Sequence, residues 1–172
     1  MTLIGSHWRG ATPLQRREGR AWYRNARRTI LAMADASGVT KRCAGGVVAA
    51  TSPRTHWSRN LHVAGEILAG RTPSGVFRAS LVKARAILAG AKPLCVLGGN
   101  KVRAFYRALV GDRTAVVIDV WILRALGLRS RAPTDRLYLR IAAAFTTVAR
   151  RLRIAAADLQ AVVWVTTRGR AE

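Results

Sequence analysis

GGNKVRAFYRALVGDRTAVVIDVWILRALG, residues 98–127, carries two helical patterns joined by a polar loop and an apolar run. Gly98-Gly99-Asn100 forms a turn, and Lys101 opens an amphipathic helix. The loop Gly111-Asp112-Arg113-Thr114 follows, then the run Ala115 to Ile118, then Asp119 at the head of a second helix. A glycine-rich turn entering a helix presents backbone N–H groups at the positive end of the helix dipole, which suits a phosphate. Asp119 stands between Ile118 and Val120 in a chain with only eight acids. Two readings of it stay open: a helix N-cap, which any protein can use, or a catalytic carboxylate. Lys101 likewise reads as a solvated charge or as a nucleophile.

Outward from this stretch, thirty Lys and Arg against eight Asp and Glu give a formal charge of +22 in 172 residues. The basic residues are mostly arginine and run along the whole chain. Each phosphate neutralised by such a chain releases counterions, so a polyanion is the natural partner. Composition of this kind gives affinity without sequence specificity. Cys43 and Cys95 lie far apart with no second thiol nearby in sequence, which points away from a disulfide framework, a zinc site and an iron–sulfur cluster. Apolar runs are too short to cross a bilayer and no leader pattern opens the chain, so a cytoplasmic, non-membrane protein is expected.

Residues 1–18 hold Gly5, Gly10 and Pro13 without a sustained period and read as a loose basic arm. Residues 19–172 read as a single helical domain. Within it, helical patterns cover 19–36, 42–52, 55–70, 76–90, the two helices of the central stretch, 134–152 and 155–167. Gly38 is placed as a C-cap, Thr134 or Asp135 as an N-cap, and Asp112 as a turn former. Phe105 is preferred to Tyr106 as core, Trp57 and Trp164 face inward, and Gln160 is a base-edge reader. The fold class is all-α, a compact bundle of about seven or eight helices.

The central stretch resembles the helix-hairpin-helix DNA glycosylases, the superfamily of endonuclease III and 8-oxoguanine glycosylase. Lys101 is followed eighteen residues later by Asp119, in I-D-V-W-I-L-R against the family's V-D-T-H-V-x-R, with Arg124 at the arginine. Leu81-Val82-Lys83-Ala84-Arg85 loosely matches its K-A-x-x-I pattern, and Thr55 to Asn60 looks like a T-x-W-x-N segment. The resemblance spans roughly residues 45–128. The whole chain is also similar to short proteins of actinobacteria and their phages. Four departures stand out. The hairpin is a shortened Leu97-Gly98-Gly99-Asn100; Pro53-Arg54 replaces a wedge glutamine; Trp121 replaces a histidine; the C-terminal cysteine set is missing.

The resemblance implies a glycosylase-like enzyme acting on double-stranded DNA with a flipped base. Asp119 stabilises the positive charge on the sugar as the N-glycosidic bond breaks. Lys101, made nucleophilic by burial and neighbouring cations, adds abasic-site lyase chemistry through a Schiff base. Gly98, Gly99, Asn100, Arg103, Arg54, Arg59 and Arg124 are the DNA contacts, with Arg54 filling the gap left by the base. His56, Trp57, Trp121 and Gln160 line the base pocket. No cofactor is implied beyond a monovalent ion at the hairpin, and a monomer is expected. A DNA-binding module without chemistry and an enzyme of phage pyrimidine hypermodification are the competing readings.

Overall fold

Helices account for every regular element in the computed structural model, which describes residues 2–129 and 132–169. In chain order they are α1 (Leu3–Gly10), α2 (Pro13–Ala36), α3 (Lys41–Thr51), α4 (Trp57–Leu68), α5 (Arg78–Leu88), α6 (Pro93–Val96), α7 (Asn100–Val110), α8 (Val120–Ala125), α9 (Asp135–Leu152) and α10 (Ala156–Arg168). No strand occurs among the described residues. The all-α expectation therefore holds, with α1 and the one-turn α6 added to the eight helices read from the sequence. Ser130 and Arg131, between α8 and α9, lie outside the described residues.

The chain divides into two units, residues 27–110 and residues 1–26 with 111–172. Residues 1–18 are helical, not a loose arm: α1 is capped by the Thr2 hydroxyl, which accepts from Gly5 N, and Ile4 is 3 % exposed. Gly5 and Gly10 interrupt the sequence pattern but leave the backbone bonds intact, so burial of one apolar side decides the outcome.

In the unit 27–110, α3 is the hub. From Ala44 to Thr51 every residue of it is buried, and it packs against α4, α5, α6 and α7. Small residues make this possible. A Cβ on Gly45 would lie 2.9 Å from Val110 Cγ1, and one on Gly46 would lie 2.9 Å from Pro93 Cγ. The helix ends at Thr51, just before Ser52-Pro53; Ser52 itself keeps α-region backbone (φ −69°, ψ −23°), against the usual preference of a residue before proline. Its end is tied to α4 by Asn60, which donates to Val48 O at 3.0 Å and accepts from the Thr51 hydroxyl at 2.7 Å. Burial pushes the Cys43 thiol up from its ordinary value, so little reactive thiolate forms there.

In the other unit, α10 takes the hub position and packs against α1, α8 and α9. Ala156 to Val163 are all buried, a pattern apolar nearly all round the helix and characteristic of a fully enclosed one. The run Ala115 to Ile118 is buried yet not helical. Two of its backbone groups are met by Tyr138, whose hydroxyl donates to Val116 O at 2.8 Å and accepts from Ile118 N at 3.3 Å. These two bonds hold the segment delivering Asp119.

Candidate functional site

Asp119 is the N-cap of α8, with extended backbone geometry (φ −113°, ψ −174°). Its Oδ1 accepts from Trp121 N at 2.9 Å and from Ile122 N at 3.0 Å. Its Oδ2 accepts from the indole Nε1–H of Trp164 at 3.0 Å. Both oxygens are therefore fixed by N–H donors from α8 and α10, while the residue stays half-exposed. The carboxylate is held rigidly and still faces solvent, the combination that a preorganised charge stabiliser needs.

Around it lies a ledge of tryptophan and arginine. Trp164 sits 6.1 Å from Trp22, ring to ring, and Trp22 meets Tyr23 edge-on at 4.7 Å. The Arg124 guanidinium lies over Trp121 at 4.6 Å, and Arg168 lies over Trp164 at 4.8 Å and Trp121 at 5.9 Å. Trp22, Trp121 and Trp164 are each half-exposed. Guanidinium stacked on indole is a cation–π contact, and such a surface offers flat faces and positive charge beside one fixed carboxylate.

Two sequence expectations change here. Trp164 does not simply face the core; it reaches Asp119 across 45 positions of chain. Gln160 is not a base-edge reader: it is 3 % exposed, and its Oε1 accepts from the Tyr23 hydroxyl at 2.9 Å inside the unit. The signal for this lay in its neighbours, because a polar residue in a helix apolar on all sides is enclosed and needs an internal partner. Trp22, Trp164 and Arg168 are the ledge residues that sequence reasoning missed as site residues.

The remaining candidates belong to the unit 27–110. The turn at Gly98-Gly99 links α6 to α7, with Gly99 at φ +73°. The helix expected before the turn, α5, ends at Leu88, and the one-turn α6 stands between it and Gly98. Arg103 Nε donates to Leu97 O at 2.8 Å and braces the turn. Asn100 starts α7. A Cβ on Gly98 would come within 3.4 Å of Lys83 Nζ, so a second ammonium stands at the hairpin. Lys101 is exposed, not buried, and the burial invoked for its nucleophilicity is absent within this unit. Phe105 and Tyr106 also exchange roles: Tyr106 is 6 % exposed, while Phe105 is half-buried and meets Trp57 edge-on at 6.3 Å. Burial pushes the Tyr106 phenol up, with the Arg42 charge acting against it.

His56 occupies the N-cap position of α4 and is exposed; Trp57 follows, half-buried. A cavity in this unit lined by Thr51, Thr55, Arg59 and Phe77, among others, measures about 20 Å³, room for a water and not for a base. Arg59 Nη2 donates to Ser74 O at 2.8 Å and holds the 72–75 turn. Arg54 is exposed at φ +59°, its guanidinium 6.0 Å from the Phe77 ring. A left-handed arginine is an uncommon, strained conformation.

Among the described residues no group of three or more His, Cys, Asp or Glu is arranged to hold a metal ion. Nor is any helix there long and apolar enough to cross a membrane. No curated protein and no solved structure matches the chain significantly. A family model does match, over residues 1–171, and by it the chain belongs to DUF7178, a family of unknown function.

Proposed function

We propose that this protein acts on DNA as a glycosylase-like enzyme, releasing a damaged or modified base with Asp119 as its catalytic carboxylate. The observation that carries the reading is the half-exposed Asp119, held by three N–H donors on a ledge of tryptophans and arginines. In this reaction the N–C1′ bond breaks and its electron pair leaves with the base. Positive charge builds on the sugar, and water then adds at C1′ and gives up a proton. A carboxylate fixed in advance lowers the energy of the cationic sugar without reorganising. The indole faces and stacked guanidinium groups suit an unstacked base and its flanking phosphates. Trp164 is a positioning residue in this scheme, because it acts through Asp119.

The test is a panel of duplexes, each carrying one modified base, with released base measured by mass spectrometry. Wild type is expected to release at least one. Trp164→Phe, which removes the N–H donor and trims the bicyclic ring while keeping one aromatic face, is expected to lower kcat about tenfold or more, with KM changed far less. Equal kcat in both proteins would show that the indole bond serves α8 alone.

A second reading, a DNA-binding module without chemistry, draws on the exposure of Lys101 and the helix-capping role that Asp119 already fills. Borohydride trapping on DNA with one abasic site addresses Lys101 directly. A Schiff base formed there would be reduced to a stable amine adduct, and Lys101→Ala would abolish it. The exposed position of Lys101 leads us to expect little or no adduct from wild type, hence a monofunctional enzyme. An abundant adduct that disappears in Lys101→Ala would overturn that expectation. No base release by wild type, with salt-sensitive DNA binding intact, would leave the binding module as the better account.

A further inference from the structure

A groove of about 420 Å³ opens in the unit that carries Asp119, where the loop before Ala115 meets the α9–α10 turn. Arg20 from α2, Arg113 from the loop, and Arg150 and Arg153 from the end of α9 all line it. The acid in this lining is Asp158, 9 % exposed, which accepts from Arg113 Nη2 at 3.2 Å. Four guanidinium groups against one carboxylate leave the lining with three excess positive charges. Like charges gathered in one groove repel one another, and an anion seated among them offsets that cost.

Arg153 adds an independent sign. It caps α9 in the left-handed conformation at φ +54°. The equivalent cap of α10 is Gly169 at φ +86°, the residue type that adopts this geometry without strain. An arginine there costs about 1 kcal/mol relative to glycine, so its side chain is kept at the expense of the backbone. Arg113 is held in place by Asp158 while its side chain remains 66 % exposed. The start of α10, capped by Ala155 with no side-chain bond, favours negative charge in the same direction, but the arginines carry the argument.

We infer that this groove is a phosphate site occupied by the backbone of a nucleic-acid strand. Guanidinium forks match phosphate oxygens in pairs. The groove is open and its lining contains no aromatic side chain to hold a base, whereas a site for a free nucleotide encloses most of its ligand. The inference rests on the nucleic-acid part of the function proposed for Asp119 and requires no base release.

The experiment measures binding of an undamaged labelled duplex by anisotropy over a range of KCl concentrations. It compares wild type with Arg150→Gln/Arg153→Gly, in which glycine relieves the strained cap, and with Arg136→Gln/Arg140→Gln. The last pair lies on exposed positions of the same helix outside the groove and removes the same charge. The groove variant is expected to bind about tenfold more weakly, with the log–log salt slope reduced by about 0.9 for each phosphate that is no longer neutralised. The control is expected to change the slope by less than half as much. Equal weakening in both variants would overturn the site and leave diffuse charge. So would a groove-dependent rise in Tm with pyrophosphate while the duplex slope stays unchanged, which would assign a small phosphoryl ligand. Failure of wild type to bind duplex at all would instead remove the nucleic-acid reading itself.

Discussion

If Asp119 is the catalytic carboxylate proposed above, Asp119→Asn is expected to bind duplex DNA as well as wild type, yet to release base about 10²–10⁴-fold more slowly, the range that a positioned acid–base or charge-stabilising group supplies. The substitution is chosen for what it keeps. Asparagine caps a helix as well as aspartate does, and its carbonyl oxygen can still accept from Trp121 N and Ile122 N. What changes is the charge and the partner of Trp164, whose Nε1–H now meets an amide NH2 where it met Oδ2. That mismatch costs about 1 kcal/mol, or roughly 2–4 °C in Tm for a chain of this size. Asp119→Ala removes the cap as well and costs about 0.5–2 kcal/mol for that change alone. The two variants separate the two roles. If Asp119 only caps α8, Asp119→Asn retains its base release and Asp119→Ala loses stability alone. If it stabilises the sugar cation, both lose release and only Asp119→Ala shows the full stability loss. Thermal melts and base-release rates on the same preparations decide between them.

Local signals in the sequence sufficed for most helix limits. Thr134 caps α9 by accepting from Leu137 N. Gly38 follows α2 at φ +64°, with Val39 N bonded back to Ala34 O. Asp112 forms its turn by accepting from the backbone and hydroxyl of Thr114. Each of these depends on atoms two to five residues apart. The errors arose where the deciding partner is distant. Gln160 is enclosed because Tyr23 waits for it 137 positions away. Helix α1 forms because its apolar side packs on α10 and α8, although its own eight residues include two glycines. The Tyr106 and Phe105 order depends on which way α7 is turned, and adjacent aromatic residues on a helix point about 100° apart, so a small error in phase exchanges them. Asp119 was legible as a cap from its place before an apolar run; the indole that fixes its second oxygen was not, since nothing local to Trp164 distinguishes a core tryptophan from one donating to a carboxylate.

The second large effect is expected at Gly19, a position with no part in chemistry. Glycine in a helix interior costs about 1 kcal/mol relative to alanine, so Gly19→Ala in α2 would stabilise an isolated helix. In the folded unit the new Cβ would lie 2.6 Å from Val162 Cα and 2.7 Å from Val162 N. These are backbone atoms of α10, buried along its length, and no side chain can rotate to make room. Helix α2 and α10 would have to part by close to an ångström, loosening the packing on either side, and overpacking of this kind costs about 1–3 kcal/mol and more where backbone must move. Steric cost therefore exceeds the propensity gain, and we expect Gly19→Ala to lower stability by about 2 kcal/mol, or roughly 4–8 °C in Tm. Gly65 is the internal control. It too lies inside a helix, α4, but nothing stands within 4 Å of its Cβ position, so Gly65→Ala is expected to raise stability by about 0.5–1 kcal/mol. Opposite signs for one chemical change at two helical glycines, read by denaturant unfolding, would establish that α2 and α10 meet backbone to backbone. Because α10 also carries Trp164, Gly19→Ala should in addition slow base release at temperatures well below its melt, whereas Gly65→Ala should leave the rate unchanged. Two stabilising substitutions would instead mean that the α2–α10 contact is loose enough to admit a methyl group, and that the α10 position from which Trp164 reaches Asp119 is less firmly fixed.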